Sequence, residues 1–237
     1  MSLEQVLKQY QSIYSPVVPY HLQHGEAIIL DLSGGDAHWL EIDMQSIQAM
    51  DAYTHQLMQE KNAVIAIGRY NEDRRFLYQR SPLFTSSNLR SIHLGVDLTL
   101  PENTPVFSPL DAEVYSIQNN QAFGDYGPTI ILKHQLEHHI FYTLYGHLSE
   151  ESLLFIKPGQ RVPNGQQIGW VGSVQINGGW PTHLHFQIIS DMQGVKGDFP
   201  GVTDKQHKKM YLNLCPNPNY ILQIQALASD KKIYERN

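Results

Sequence analysis

Five side chains in the middle of the sequence are of types that hold metals and move protons. His93 and Asp97 stand four apart in HLGVD, His147 closes the run YTLYGH, and His183 and His185 stand two apart in THLHF. On a strand, residues i and i+2 project from one face, so His183 and His185 share a sheet surface if that run is a strand. Two imidazoles and one carboxylate are a donor set for catalytic zinc, which takes three protein ligands and keeps a fourth position for water. With that set the ion keeps positive charge, brings the pKa of bound water to about 7 and polarises a carbonyl. Two further histidines then suit proton transfer or oxyanion stabilisation. Each fragment alone is common. HxxxD recurs by chance, HxH also fits a polar solvent face, and a lone histidine such as His147 also fits a hydrogen-bonded core position. Their combination in one segment points to a site, and folding must bring the pieces together.

The elements that must do so are short and β-rich. Strands are expected near 94–99, 104–108, 112–118, 128–134, 140–147, 167–171 and 183–189, separated by Gly, Pro and Asn turns such as Lys157-Pro158-Gly159 and Pro163-Asn164-Gly165. No helix of three turns fits between 92 and 190. The preceding region has a different texture. Residues 1–14 read as an amphipathic helix, 26–32 as a short apolar run, 44–61 as a helix and 63–67 as a strand. Asn71 to Arg75 (NEDRR) reads as a solvated charged turn, with Arg69, Tyr70 and Arg74 as weaker candidates for substrate contact. The tail from 191 has a Gly/Asp/Pro-rich stretch followed by a mixed period over 220–227.

Composition excludes several classes. The chain has 237 residues, 17 Lys and Arg against 23 Asp and Glu, and a net charge of −6, which argues against a nucleic-acid binder. No apolar run reaches the ~18 residues of a membrane span. The single cysteine, Cys215, rules out an intramolecular disulfide or a cysteine-rich zinc cluster, and reads as a buried small residue. The N-terminus lacks the apolar core and cleavage site of a secretory signal. The expected location is therefore cytoplasmic, with export by another route, a processed form or a piece of a longer polypeptide as alternatives.

Residues 92–190 resemble the M23 family of zinc metallopeptidases, the lysostaphin/LytM type. The family's HxGxD appears as His93-Leu94-Gly95-Val96-Asp97, its strand-terminal histidine as Gly146-His147-Leu148-Ser149, and its HLHF as His183-Leu184-His185-Phe186. The connecting segments Thr104 to Val114 and Ile156 to Gly172 are similar to its hairpins. The resemblance implies a mainly β fold, an antiparallel sheet core with an N-terminal α+β extension. It implies an extension over 1–85, a catalytic core over 86–195 and a tail over 196–237 packing on that core. It also implies one zinc ion per chain held by His93, Asp97 and His185, with His147 and His183 as the catalytic pair. The activity implied is metalloendopeptidase cleavage of peptidoglycan stems or cross-bridges, or of another small peptide. Over about 26–222 the chain also resembles the M23-like domain of polypeptides that carry kinase-like and class III aminotransferase domains, through LDLSGG, AIGRYNEDRRFLY, NGGWPTHLHFQ and LCPNPN.

There are departures. Wall-cleaving members carry Gly-Pro-His-Leu-His-Phe-Glu, whereas Gln187 here replaces the carboxylate, which weakens support for the metal or shifts substrate preference. Trp180, in a segment longer than the usual turn, either walls the cleft or caps the core. Two rival readings are a non-hydrolytic zinc-containing binding module and a latent enzyme covered by its N-terminal region. Of the other histidines, His134 reads as structural, His138 and His139 as a solvated turn, and His21, His24, His38, His55 and His207 as surface or core positions.

Overall fold

The computed structural model describes residues 1–23, 27–34, 39, 41–43, 46–78, 82–85 and 89–229. His24, His38, Glu26 and Met44 lie outside the described residues. In chain order the first elements are α1 (Leu3–Gln9), β1 (Ala27–Leu30), α2 (Ile47–Glu60), β2 (Ile65–Gly68), α3 (Arg75–Tyr78), α4 (Pro82–Thr85), β3 (Ile92–His93) and β4 (Val96–Thr99). Then follow β5 (Pro105–Phe107), β6 (Ala112–Asn120), β7 (Gly127–Leu136), β8 (His139–Gly146), α5 (Ser152–Phe155), β9 (Arg161–Val162), β10 (Gln167–Trp170) and β11 (His183–Ile189). The chain closes with β12 (Val202–Thr203), α6 (Lys208–Leu214), α7 (Asn219–Leu222) and α8 (Gln225–Ser229). The fold is mainly β.

Eight strands form one sheet in the order β1-β2-β4-β11-β8-β7-β6-β9. Every pairing in it is antiparallel except β1 with β2. The two parallel strands come from the N-terminal region, so that region widens the sheet rather than standing apart from it. The helices there begin where local chemistry directs. Ser2 and Gln5 form a reciprocal capping box at α1, and the Ser46 hydroxyl accepts from Ala49 N–H at α2.

Alternation along the central strands divides the sheet into two faces. Val96, Leu98, Leu184, Phe186 and Ile188 point to the main core, where Val6 and Leu7 of α1 and Ile221 and Leu222 of α7 cover them. Burying each such side chain stabilises the fold by about 1.5–3 kcal/mol. The intervening residues, Asp97, His183, His185 and Gln187, point to the other face. That face is covered too: the structure buries all of 184–189. A second apolar cluster, Leu30, Leu32, Trp39, Met50, Leu77, Tyr78 and Phe84, sits under the N-terminal elements.

The charged stretch 69–75 departs from its sequence reading. Arg69, Glu72 and Arg74 are buried, not solvated. They form a chain of ion pairs from Asp31 through Arg69 and Glu72 to Arg74 and on to Asp97, with contacts of 2.7, 2.6, 3.0 and 2.5 Å. Long cationic side chains are almost never fully buried unless paired, and here each is paired on both sides. The mixed period over 220–227 corresponds to two short helices, α7 and α8, preceded by α6.

Candidate metal centre

Register places the first two side chains. Asp97 on β4 lies directly opposite His185 on β11, and His185 lies opposite Gly146 on β8. His147 follows Gly146 at the end of β8, and His93 ends β3, which pairs with β12. Gly95 between His93 and Asp97 is required by close approach: a Cβ there would stand 2.5 Å from the His185 ring.

Three atoms converge. His93 Nε2 is 3.1 Å from His185 Nδ1 and 3.3 Å from Asp97 Oδ1, and His185 Nδ1 is 3.0 Å from Asp97 Oδ1. Tetrahedral ligands at about 2.0–2.1 Å from zinc stand about 3.3–3.4 Å apart, so the triangle has nearly that size. The outer hydrogen bonds fix which ring nitrogens face inward. His93 Nδ1–H donates to Arg69 O at 2.8 Å, leaving the Nε2 lone pair inside. Gln187 Nε2 donates to Pro200 O at 3.1 Å and to Cys215 Sγ at 3.3 Å, so Gln187 Oε1 is the end that accepts from His185 Nε2 at 2.9 Å. The inward atom of His185 is therefore also a lone pair. Two imidazole lone pairs and a carboxylate oxygen then face one another in a buried pocket. Such an all-acceptor cluster repels itself unless a cation sits among the atoms, and the donor set fits zinc. No fourth His, Cys, Asp or Glu joins this cluster among the described residues.

The environment keeps the ligating forms. Burial lowers the His93 pKa to about 4, with Arg74 acting in the same direction. Burial alone would raise the Asp97 carboxyl; His93 and Arg74 beside it reverse that and hold it well below the carboxylate range. Arg74 Nη1 donates to Asp97 Oδ2, so one carboxylate oxygen is engaged and the other faces the imidazoles. Gln187 is the residue whose role the sequence understated. Although neutral, it supplies the outer acceptor for His185.

His147 and His183 complete the cluster. Their ring centroids are 4.2 Å apart, and His183 Nε2 is 3.8 Å from Asp97 Oδ1. His183 Nδ1–H donates to Pro181 O at 2.7 Å, so its Nε2 lone pair faces the cavity. His147 Nδ1 is buried without a hydrogen-bond partner among the described residues. His147 has φ +62°, a left-handed conformation uncommon outside glycine and concentrated at functional positions. Its backbone is held there: its N–H donates to Tyr126 O at 2.7 Å and its carbonyl accepts from Gly172 N–H at 2.9 Å. Burial lowers the pKa of both histidines, His147 the more strongly, so both are neutral at neutral pH.

All five sequence-singled residues thus meet at one place. His134 does not: it is buried elsewhere, bonded to Asp111 O and Thr143 Oγ1. His21, His55, His138 and His207 are exposed. Trp180 lines the cavity, packs edge-on to Tyr78 and donates Nε1–H to Gly124 O. Cys215 is buried.

Residues 91–197 match the family model Peptidase family M23. The chain is 30% identical over 122 residues to the peptidoglycan DD-endopeptidase ShyA of Vibrio cholerae, covering 50% of this chain and 26% of that protein. It is 29% identical over 129 residues to an uncharacterized metalloprotease of Haemophilus influenzae, covering 52% and 25%. Among solved structures, the catalytic domain of lysostaphin from Staphylococcus simulans is 24% identical, with 49% of this chain and 77% of that one covered and a TM-score of 0.35. The chain spans about a quarter of the length of the curated relatives it matches. Residues 91–197 thus share the sequence pattern of Peptidase family M23.

Proposed function

We propose that the protein is a zinc-dependent metalloendopeptidase, with His93, Asp97 and His185 holding one zinc ion and His147 and His183 serving the reaction. The observation that carries this reading is the triangle of three inward-facing acceptor atoms with two neutral histidines beside it. When bound, zinc supplies Lewis-acid polarisation and a more acidic water. His183, pinned by Pro181 O, presents Nε2 and takes the proton of the attacking water. His147, packed beside His183 on the same cavity, donates a hydrogen bond to the oxygen on which charge develops. The buried surroundings exclude water and strengthen both interactions. The substrate class is a peptide, of the peptidoglycan stem or cross-bridge type or another short peptide, a choice supported by the likeness to a peptidoglycan DD-endopeptidase.

The test is cleavage of a Gly-Gly peptide and of purified peptidoglycan by the zinc-loaded chain, with chelator and with His147→Ala. Loss of cleavage in chelator, recovery with zinc, and a His147→Ala variant that keeps its metal but not its activity are expected. Activity indifferent to chelator would overturn the reading.

A further inference from the structure

A cavity of about 170 Å³ opens from the metal triangle into the second apolar cluster. His93, Asp97, His147, His183 and His185 line one part of it. Leu32, Trp39, Met50, Leu77, Phe84 and Trp180 line another, and all but Trp180 come from the N-terminal region. An apolar cavity of about 150 Å³ accepts a benzene ring, so this one has room for a single aliphatic or aromatic side chain. The same cavity takes in Arg90, Asp125 and Asp198, which makes a cationic side chain the rival occupant.

We infer that this cavity is a specificity pocket, built by the N-terminal region, that takes one leucine- to phenylalanine-sized side chain flanking the scissile bond. Cleavage next to that side chain rests on the peptidase reading above; occupancy of the pocket does not. The pocket is continuous with the metal triangle, so a side chain seated in it holds the adjoining peptide bond at the histidines. The cationic rival fits less well, because Leu32, Met50, Leu77 and Phe84 offer an ammonium group no hydrogen bond, and Asp125 and Asp198 already have the Arg90 guanidinium beside them.

The experiment has a catalytic and a binding arm. The zinc-loaded chain is given matched peptides with Gly, Lys, Leu or Phe beside the scissile bond. The Leu and Phe peptides should exceed the Gly peptide in kcat/KM by about 10- to 100-fold, the range one apolar group is worth in a fitted pocket. Leu32→Trp, which fills the pocket, should bring that ratio toward one. Independently, N-acetylphenylalaninamide and N-acetylglycinamide are titrated against metal-free and zinc-loaded protein by NMR. The phenylalanine compound should bind more tightly to both, shifting resonances of Trp39 and Met50. Cleavage without apolar preference, a preference for Lys, or equal binding of the two amides overturns the pocket and leaves the peptidase reading standing. Selective binding of the phenylalanine compound with no cleavage of any peptide supports the pocket and overturns the peptidase reading.

Discussion

Replacing Arg74 by methionine removes a buried guanidinium that binds two carboxylates at once. Arg74 is 2% exposed. Its Nε donates to Glu72 Oε2 at 3.0 Å and its Nη1 to Asp97 Oδ2 and to the Tyr78 hydroxyl. Methionine keeps most of the volume and none of the donors, so Asp97 and Glu72 lose their shared cation in a low-dielectric setting. Breaking a buried ion pair on one side costs about 3–5 kcal/mol. At roughly 2–4 °C per kcal/mol for a chain of this size, that is a fall of about 6–20 °C in Tm. The loss should depend on metal. In chelator Asp97 has no other cation, whereas bound zinc neutralises it in part, so the deficit shrinks when zinc is added. Arg74→Lys keeps the charge but not the planar fork, and one ammonium cannot span Glu72 and Asp97 as the guanidinium does; its loss should be intermediate. Urea unfolding of the wild type and both variants, in chelator and in excess zinc, gives the four differences required. A loss below about 1 kcal/mol for Arg74→Met in chelator would refute the argument, since an exposed pair is worth that little.

Other expectations follow from the same structure. Gln187→Glu restores the residue of the wall-cleaving pattern, yet it should lower stability by about 1–3 kcal/mol, because a donor to Pro200 O becomes an acceptor in a fully buried place. The hydrogen bond to His185 survives, so zinc affinity should not fall; thermal melts and metal competition read the two effects separately. His134 provides a pH test away from the metal. Burial lowers its folded pKa to about 4, against about 6.5 unfolded. The unfolded chain therefore binds the proton first, and stability is complete above pH 6.5 and lost as pH falls toward 4, by about 3 kcal/mol. His134→Gln should flatten that slope between pH 7 and 4.5 in urea titrations; an unchanged slope would remove His134 as its cause.

Much of the site was legible because strand chemistry is periodic. The i, i+2 spacing puts His183 and His185 on one face, and the run 183–189 is a strand as expected. The turn residues divide most of the central segment into the strands observed, with ends shifted by at most two residues. What escaped the sequence was pairing at a distance. A run such as NEDRR has the composition of a solvated turn, and nothing local shows that Arg74 will meet Asp97, 23 residues on, or that Arg69 will meet Asp31. Burial of such charges is decided by partners brought together only by the sheet. Gln187 was misjudged for a related reason: counting charge treats glutamine as a loss, whereas the hydrogen bond needs an acceptor, which an amide also provides. The two-residue strands β3 and β12 and the parallel pairing of β1 with β2 depend on tertiary contacts alone.

The proposed metal centre requires His93 Nε2, Asp97 Oδ1 and His185 Nδ1 to present three acceptors to one cation. Titrating zinc into the chelator-stripped chain by calorimetry, beside Asp97→Asn and His185→Ala, tests it most directly. One tight zinc per chain in the wild type and strongly weakened binding in both variants are expected. A wild-type chain that takes up no zinc, or variants that bind it as tightly, would contradict it.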